Sequence, residues 1–170
     1  MNARDAVELL GSAIHTRGGT WADLGAGSGV FTRALVELLG AESRVYSVDL
    51  DARVATTRNV IAVNGDFTRP LELPGLGVAK LDGILLANSL HFVRDAEAVL
   101  AALVARVKSG GSVVLVEYDH RIANRWVPYP IASSTLPALA EAAGLSPFEV
   151  TGTRPSDYGG ELYVASAIAR

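Results

Sequence analysis

Residues 23–29 read Asp23-Leu24-Gly25-Ala26-Gly27-Ser28-Gly29, with three glycines at alternate positions directly after a short apolar run. A chain that leaves a strand and enters a helix within so few residues needs positive φ and close backbone approach, and glycine permits both. The helix that follows carries Phe31, Leu35, Leu38 and Leu39 at helical spacing and starts with unpaired N–H groups. In open α/β sheets such a turn is where a nucleotide-like ligand sits; taken alone it is also a tight strand–helix junction. A dinucleotide fingerprint would place its third glycine at position 30, where Val30 stands. Asp49 closes the next apolar run, and a carboxylate at a strand tip can accept both hydroxyls of a ribose diol. Asp51, two residues on, is assigned instead to capping a brief helix over 51–58.

The elements that must position these residues follow in regular order. Residues 3–14 put Ala6, Val7, Leu10, Ala13 and Ile14 on one helical face, with Asn2 able to cap it. Strands are expected over 20–24, 44–50, 60–63, 83–87 and 112–117, the last an unbroken apolar run that suits burial on both faces. Ala96, Val99, Leu100, Leu103, Val104 and Val107 form a helical stripe that Gly110-Gly111 is expected to end. Residues 71–80 read as a loop or one turn of helix, 120–131 as an irregular loop, and 134–143 as a short helix. Two further strands, 148–153 and 162–169, are joined by a Pro/Asp/Gly-rich connection that reads as a hairpin. Alternating strands and helices imply right-handed crossovers. The expectation is an α/β, doubly wound, mainly parallel seven-stranded sheet with a C-terminal antiparallel hairpin, helices on both faces, and a single domain over 1–170.

The G-x-G-x-G spacing with Asp23 two residues ahead resembles the first motif of the class I S-adenosylmethionine-dependent methyltransferases. The segment from Leu81-Asp82-Gly83-Ile84 to Asn88-Ser89-Leu90-His91 resembles the fourth-strand motif of the same family, and Lys108-Ser109-Gly110-Gly111 is a frequent family feature. The resemblance covers about residues 20–120 and implies a Rossmann-like fold with S-adenosylmethionine as cofactor. It places Asp23, Gly25, Ala26 and Gly27 at the cofactor, Asp49 and Leu50 at its ribose side, and Asn88 at its methionine part. It also gives Asp66 a hydrogen bond to the adenine amino group and packs Phe67 on the ring; the alternative is a turn acid beside a buried Phe.

The family's methyl donor is already activated, so alignment supplies most of the acceleration, about 7–11 kcal/mol. A general base adds about 10²–10⁴-fold where the acceptor must lose a proton. Acceptor-side candidates are His91, Glu117, Tyr118 and His120. His91 is the first choice as base or acceptor-orienting residue, against a helix-entry histidine bonded to backbone. Glu117 ends a buried strand and therefore needs a partner. Trp126 and Tyr129 either line an acceptor pocket or anchor the Pro-rich loop. The Asn/Asp-Pro-Pro-aromatic motif of amino-group nucleic-acid methyltransferases is absent, and with no Cys there is no C5-type nucleophile. A small-molecule acceptor methylated on O, N or carbon is expected. It would be closed in by the 120–131 loop or by a second subunit of a homo-oligomer; a macromolecular acceptor is the third option. The rival functions are an NAD-dependent oxidoreductase and a non-catalytic cofactor-binding subunit.

Composition narrows the rest. The 170 residues carry a formal charge of -3 with acids and bases interspersed, so no basic face for nucleic acid is expected. Arg121 and Arg125 read as solvated loop residues. The absence of Cys removes disulfides and thiolate zinc sites, and no metal centre is expected. No apolar run approaches the roughly 18 residues of a membrane span, and the N-terminus is not signal-like, which makes a soluble cytoplasmic protein the expectation.

Overall fold

A computed structural model describes residues 1–170. Its strands are β1 (Gly19–Leu24), β2 (Ser43–Asp49), β3 (Val60–Asn64), β4 (Leu81–Ala87), β5 (Val107–Asp119), β6 (Glu149–Pro155) and β7 (Glu161–Ile168). They form one sheet in the order β3-β2-β1-β4-β5-β7-β6. The first five run parallel, and β7 lies antiparallel between β5 and β6. The expected Rossmann-like sheet and its antiparallel hairpin are both present.

Alternation along the strands splits the core between the two faces. On one face α1 (Ala3–Gly11) and α2 (Val30–Leu39) bury Leu10 and Leu35 against Trp21, Val45, Leu85 and Val114. On the other, α3 (Ala96–Val104) and α4 (Leu136–Ala142) bury Leu100 and Leu139 against Ala22, Tyr46, Ile84 and Leu115. Asn2 caps α1 in a reciprocal box with Asp5: the Asp5 N–H donates to Asn2 Oδ1 at 2.9 Å and the Asn2 N–H to Asp5 Oδ2 at 3.3 Å. No helix is long and apolar enough to cross a membrane.

Two expectations are corrected. Gly110 and Gly111 do not end a helix; α3 stops at Val104, and both glycines lie inside β5. There the pairing jumps from Leu81↔Val107 to Gly83↔Ser112, and Gly110 adopts φ +79. This is a bulge, a use of glycine that resembles a helix stop in sequence.

The second correction concerns residues 51–58, which form no helix and leave Asp51 nothing to cap. Thr56 and Thr57 bend the chain back along the outer edge of β3 instead. The Ala62 N–H donates to Thr56 Oγ1 at 3.1 Å and the Val60 N–H to Thr57 Oγ1 at 3.2 Å. The Thr57 N–H in turn donates to the Val60 carbonyl at 2.8 Å. Hydroxyls that bond local backbone compete with helix formation, and β-branched residues disfavour it further. The β3–β4 connection, too, is made of turns rather than a helix.

Candidate active site

The C-terminal ends of β1 to β4 meet at one groove, and the glycine turn forms its first wall. Gly25, Gly27 and Gly29 all have positive φ, +81, +54 and +76, but for different reasons. A Cβ on Gly25 would collide with the Ser89 side chain, and one on Gly29 with Val54. One on Gly27 would meet nothing within 4 Å. Gly25 and Gly29 let the chain pack on itself, whereas Gly27 presents bare backbone to open space. The Gly25 and Ala26 N–H groups tie the turn to β2 through the Val48 carbonyl at 2.8 and 2.9 Å. Gly29 has no side chain to cap α2, so the first N–H groups of that helix are left for a ligand or solvent.

Asp23 lies beneath this turn. It is buried, and its Oδ2 accepts from Thr32 Oγ1 at 2.6 Å. Its Oδ1 is enclosed with no partner. Burial pushes its pKa up to about 7, and the negative charge of Asp49 adds to the shift. Asp49 holds the turn from outside: its Oδ2 accepts the Gly27 N–H at 2.8 Å and its Oδ1 the Asp51 N–H at 3.1 Å. An ionised carboxylate has about four acceptor sites, so each oxygen retains a lone pair.

The groove encloses about 320 Å³ and is lined by Gly25, Asp49, Leu50, Asp66, Phe67 and Asn88, together with Gly65, Thr68, Ser89, Phe92 and Val93. Leu50 is 77% exposed, an apolar side chain that nothing in the chain covers. Asp66 Oδ1 accepts from the Thr68 N–H and hydroxyl at 2.9 and 2.6 Å, and Oδ2 faces Arg69 at 3.3 Å. The Thr68 bonds hold the Asp66 carboxyl below the ordinary carboxylate range. Ala26 and Gly27 belong to the turn beside the groove, and Asp23 to its foundation.

Asn88 links this groove to a second, larger cavity of about 720 Å³, which it also lines, as does Phe92. Its φ of +54 is unusual for a residue with a side chain. The Asn88 N–H donates to the Val116 carbonyl at 2.8 Å, while the Oδ1 is enclosed and unpartnered.

The remaining walls of the larger cavity are His91, Tyr118, Arg121, Asn124, Trp126, Val127 and Tyr158. His91 and Glu117 are both buried, at 2% and 0% exposure. His91 Nδ1 lies 2.6 Å from Glu117 Oε2, and Glu117 Oε1 accepts the Leu90 and His91 N–H groups at 3.0 and 3.2 Å. Glu117 thus has the partner its burial demanded. A carboxylate can only accept, so His91 donates from Nδ1 and keeps Nε2 free of any bond within the chain. The histidine is at the same time part of a short 3-10 turn, Leu90–Phe92.

Three acceptor-side residues fall outside the cavity walls: Glu117, which lies behind His91, and His120 and Tyr129. The His120 side chain is 87% exposed and 3.5 Å from Asp119. Tyr129 is half-exposed, and its N–H donates to the His91 carbonyl at 2.9 Å, which anchors the loop. Trp126 does line the cavity, with the Arg125 guanidinium 4.4 Å from its ring centre. Sequence reading missed Phe92, Arg121, Asn124, Val127 and Tyr158 as lining residues. Arg121 was visible as a loop cation, and its place 4.8 Å over the Tyr118 ring carries no local signal. Tyr158 arrives from the β6–β7 turn, far along the chain.

A family model described as a methyltransferase domain matches residues 22–113, more than half of the chain. No curated protein sequence matches it. Among solved structures, the YcgJ protein of Bacillus subtilis superposes with a TM-score of 0.76 at 14% identity, over 98% of this chain and 99% of that one. The 1,6-didemethyltoxoflavin-N1-methyltransferase of Burkholderia thailandensis, solved with 1,6-didemethyltoxoflavin and S-adenosylhomocysteine, gives 0.72 at 23% identity over 98% and 77%. An S-adenosylmethionine-dependent methyltransferase from Aquifex aeolicus gives 0.69 at 16% over 98% and 90%.

Proposed function

The chain belongs to the methyltransferase-domain family, and from that premise we propose that it methylates a small molecule held in the 720 Å³ cavity, with S-adenosylmethionine in the adjoining groove. The observation that carries this reading is the shared wall: Asn88 and Phe92 border both spaces, so a donor in one faces an acceptor in the other.

The groove residues suit that cofactor. The free lone pairs of Asp49 suit a ribose diol, and the uncovered Leu50 and the Phe67 ring suit the two faces of adenine. Asp66 Oδ2 is the acceptor for the adenine amino group. Asn88 Oδ1, enclosed and unpartnered, is an acceptor for the methionine part. Gly25, Ala26 and Gly27 bring backbone to the ligand, and Asp23 supports them from below. Bound there, S-adenosylmethionine supplies a methyl on a sulfonium sulfur, which leaves as the neutral thioether when the acceptor's lone pair takes the methyl.

His91 is the general base. Glu117 fixes its ring and its Nδ1–H, so Nε2 receives the proton that an O–H or N–H acceptor gives up. Tyr118 and Trp126 form apolar walls that position the acceptor and exclude water. The 120–131 loop supplies Arg121, Asn124, Trp126 and Val127 to the cavity wall. Residues 1–170 act as one S-adenosylmethionine-binding domain. The presence of an acceptor-sized cavity with a buried His–Glu pair favours an enzyme over a cofactor-binding subunit without turnover.

A thermal-shift comparison of S-adenosylmethionine, S-adenosylhomocysteine, NAD and NADP tests the reading. A ligand at 100 times its dissociation constant adds about 2.7 kcal/mol of stability, so either S-adenosyl compound is expected to raise the melting temperature visibly. A response to NAD or NADP alone would overturn the proposal.

A further inference from the structure

The proposed reading leaves one cation in the acceptor cavity without a role. Arg121 lines that cavity, its guanidinium 4.8 Å above the centre of the Tyr118 ring. It carries five N–H donors, of which one bond is made, from Nη2 to the Tyr158 carbonyl at 2.8 Å. Nε is enclosed with no partner. No carboxylate lies within ion-pair distance of it. No acid lines the cavity, and Glu117, behind His91, has both oxygens engaged by Leu90 and His91. A half-buried guanidinium is held here by an aromatic face and a single carbonyl, and its charge is unanswered.

Every other large wall of the cavity is flat and aromatic or apolar: Phe92, Tyr118, Trp126, Val127 and Tyr158. Of these, Phe92, Trp126 and Tyr158 are 56%, 68% and 78% exposed, so the chain itself does not cover them. An arginine fork matches a carboxylate in geometry as well as in charge. Aromatic walls match a planar ring and hold it against the same stack.

We propose that the acceptor is an aromatic acid: a planar ring between Trp126 and Tyr118, with a carboxylate held by Arg121 and a hydroxyl or ring N–H presented to His91 Nε2. Arg121 is then a specificity residue of the methyl transfer. This rests on the methyltransferase reading, and the acid-selective pocket is what it adds. In the transfer, the proton of that O–H or N–H moves to His91. The lone pair it leaves forms the bond to the methyl carbon, and the pair of the broken carbon–sulfur bond stays on sulfur. The acceptor's carboxylate keeps its charge throughout, so the Arg121 contact binds substrate and transition state alike and appears in KM more than in kcat.

The test is calorimetric titration of the full chain, preloaded with S-adenosylhomocysteine, with hydroxybenzoates and 3-hydroxy-2-naphthoate and with their carboxamides. The expected result is at least about tenfold tighter binding of an acid than of its amide, with the preference weakened by salt. Arg121→Gln is expected to abolish the preference and Arg121→Lys to restore part of it, both with S-adenosylhomocysteine affinity unchanged. Equal binding of acid and amide, a preference that survives Arg121→Gln, or no binding of any acid while S-adenosylhomocysteine still binds would each sink the inference and leave the methyltransferase reading standing. Failure to bind S-adenosylhomocysteine at all would overturn that reading instead.

Discussion

The groove and the cavity share Asn88 and Phe92 but are built by opposite means. Groove walls come from the tips of four neighbouring parallel strands, and much of what they present is backbone: the bare turn at Gly27, the N–H groups at the start of α2, and carboxylates locked by main-chain bonds at Asp49 and Asp66. Cavity walls are side chains brought from β4, β5, the 120–131 loop and the β6–β7 turn, and several are aromatic and exposed. A surface made of strand-end backbone can recognise one ligand and changes little with sequence. A surface made of side chains on loops can be refitted to another acceptor while the sheet stays as it is.

That contrast predicts that chemistry and cofactor binding separate by mutation. The largest effect is expected from His91→Ala, which removes the imidazole of a cavity-lining residue whose Nε2 makes no bond within the chain. Turnover should fall about 10²–10⁴-fold while S-adenosylhomocysteine affinity, measured by calorimetry, moves less than about threefold. Parallel losses in both would mean that the His91–Glu117 pair serves only to hold the turn after β4.

Next comes the ground beneath the groove. Asp23, raised to about 7 by burial, binds its proton more tightly folded than unfolded. Its stabilising contribution is therefore fully present below about pH 4 and is lost as pH rises to about 7, beyond which it is constant. Asp23→Asn keeps an acceptor for Thr32 and removes the titration. Its stability relative to the parent chain should climb between pH 4 and pH 7, by up to about 4 kcal/mol. Urea unfolding at both ends of that window is the measurement, and a pH-independent difference would refute the assignment.

The smaller effects lie at the tip of β2. Asp49→Ala should weaken S-adenosylhomocysteine binding by about 1.5–3 kcal/mol, or tenfold to a hundredfold, since it removes the ribose acceptor and the Gly27 anchor together. Asp51→Ala is its control. Because Asp51 caps nothing and pairs only with exposed Arg53, both binding and stability should stay within about 0.5 kcal/mol. If Asp51→Ala weakens binding and Asp49→Ala does not, the ribose lies one turn further along the chain.

The same division decides what could be read from sequence. The seven strands, the hairpin and the groove positions Gly25, Asp49, Leu50, Asp66, Phe67 and Asn88 were legible, because strand periodicity and glycine turns are local and the groove is built where they end, whereas Thr68, Phe92 and Val93 carried no signal of their place in its wall. The misreadings were also local signals with a second meaning. Gly110-Gly111 is a bulge rather than a stop, and residues 51–58 are a loop because Thr56 and Thr57 bond to the edge of β3 instead of their own helix. In the cavity, His91 and Tyr118 were found by their position after strand ends and Trp126 as an aromatic of the Pro-rich loop, while Arg121 and Tyr158 meet only through tertiary contact, 37 residues apart. Nothing in their immediate neighbours marks a loop arginine as a wall of a cavity.

The threonines over β3 have one further consequence, for how the sheet ends. β3 is a short apolar edge, Val60-Ile61-Ala62-Val63, the kind of border on which another chain can template itself. Its outward N–H groups at Val60 and Ala62 are already taken by Thr57 and Thr56, and its outward Val60 carbonyl by the Thr57 N–H. The connection that lacks a helix therefore serves as a selvedge. A strand arriving from another molecule finds these three groups already engaged, and pairing with them requires peeling the loop away first.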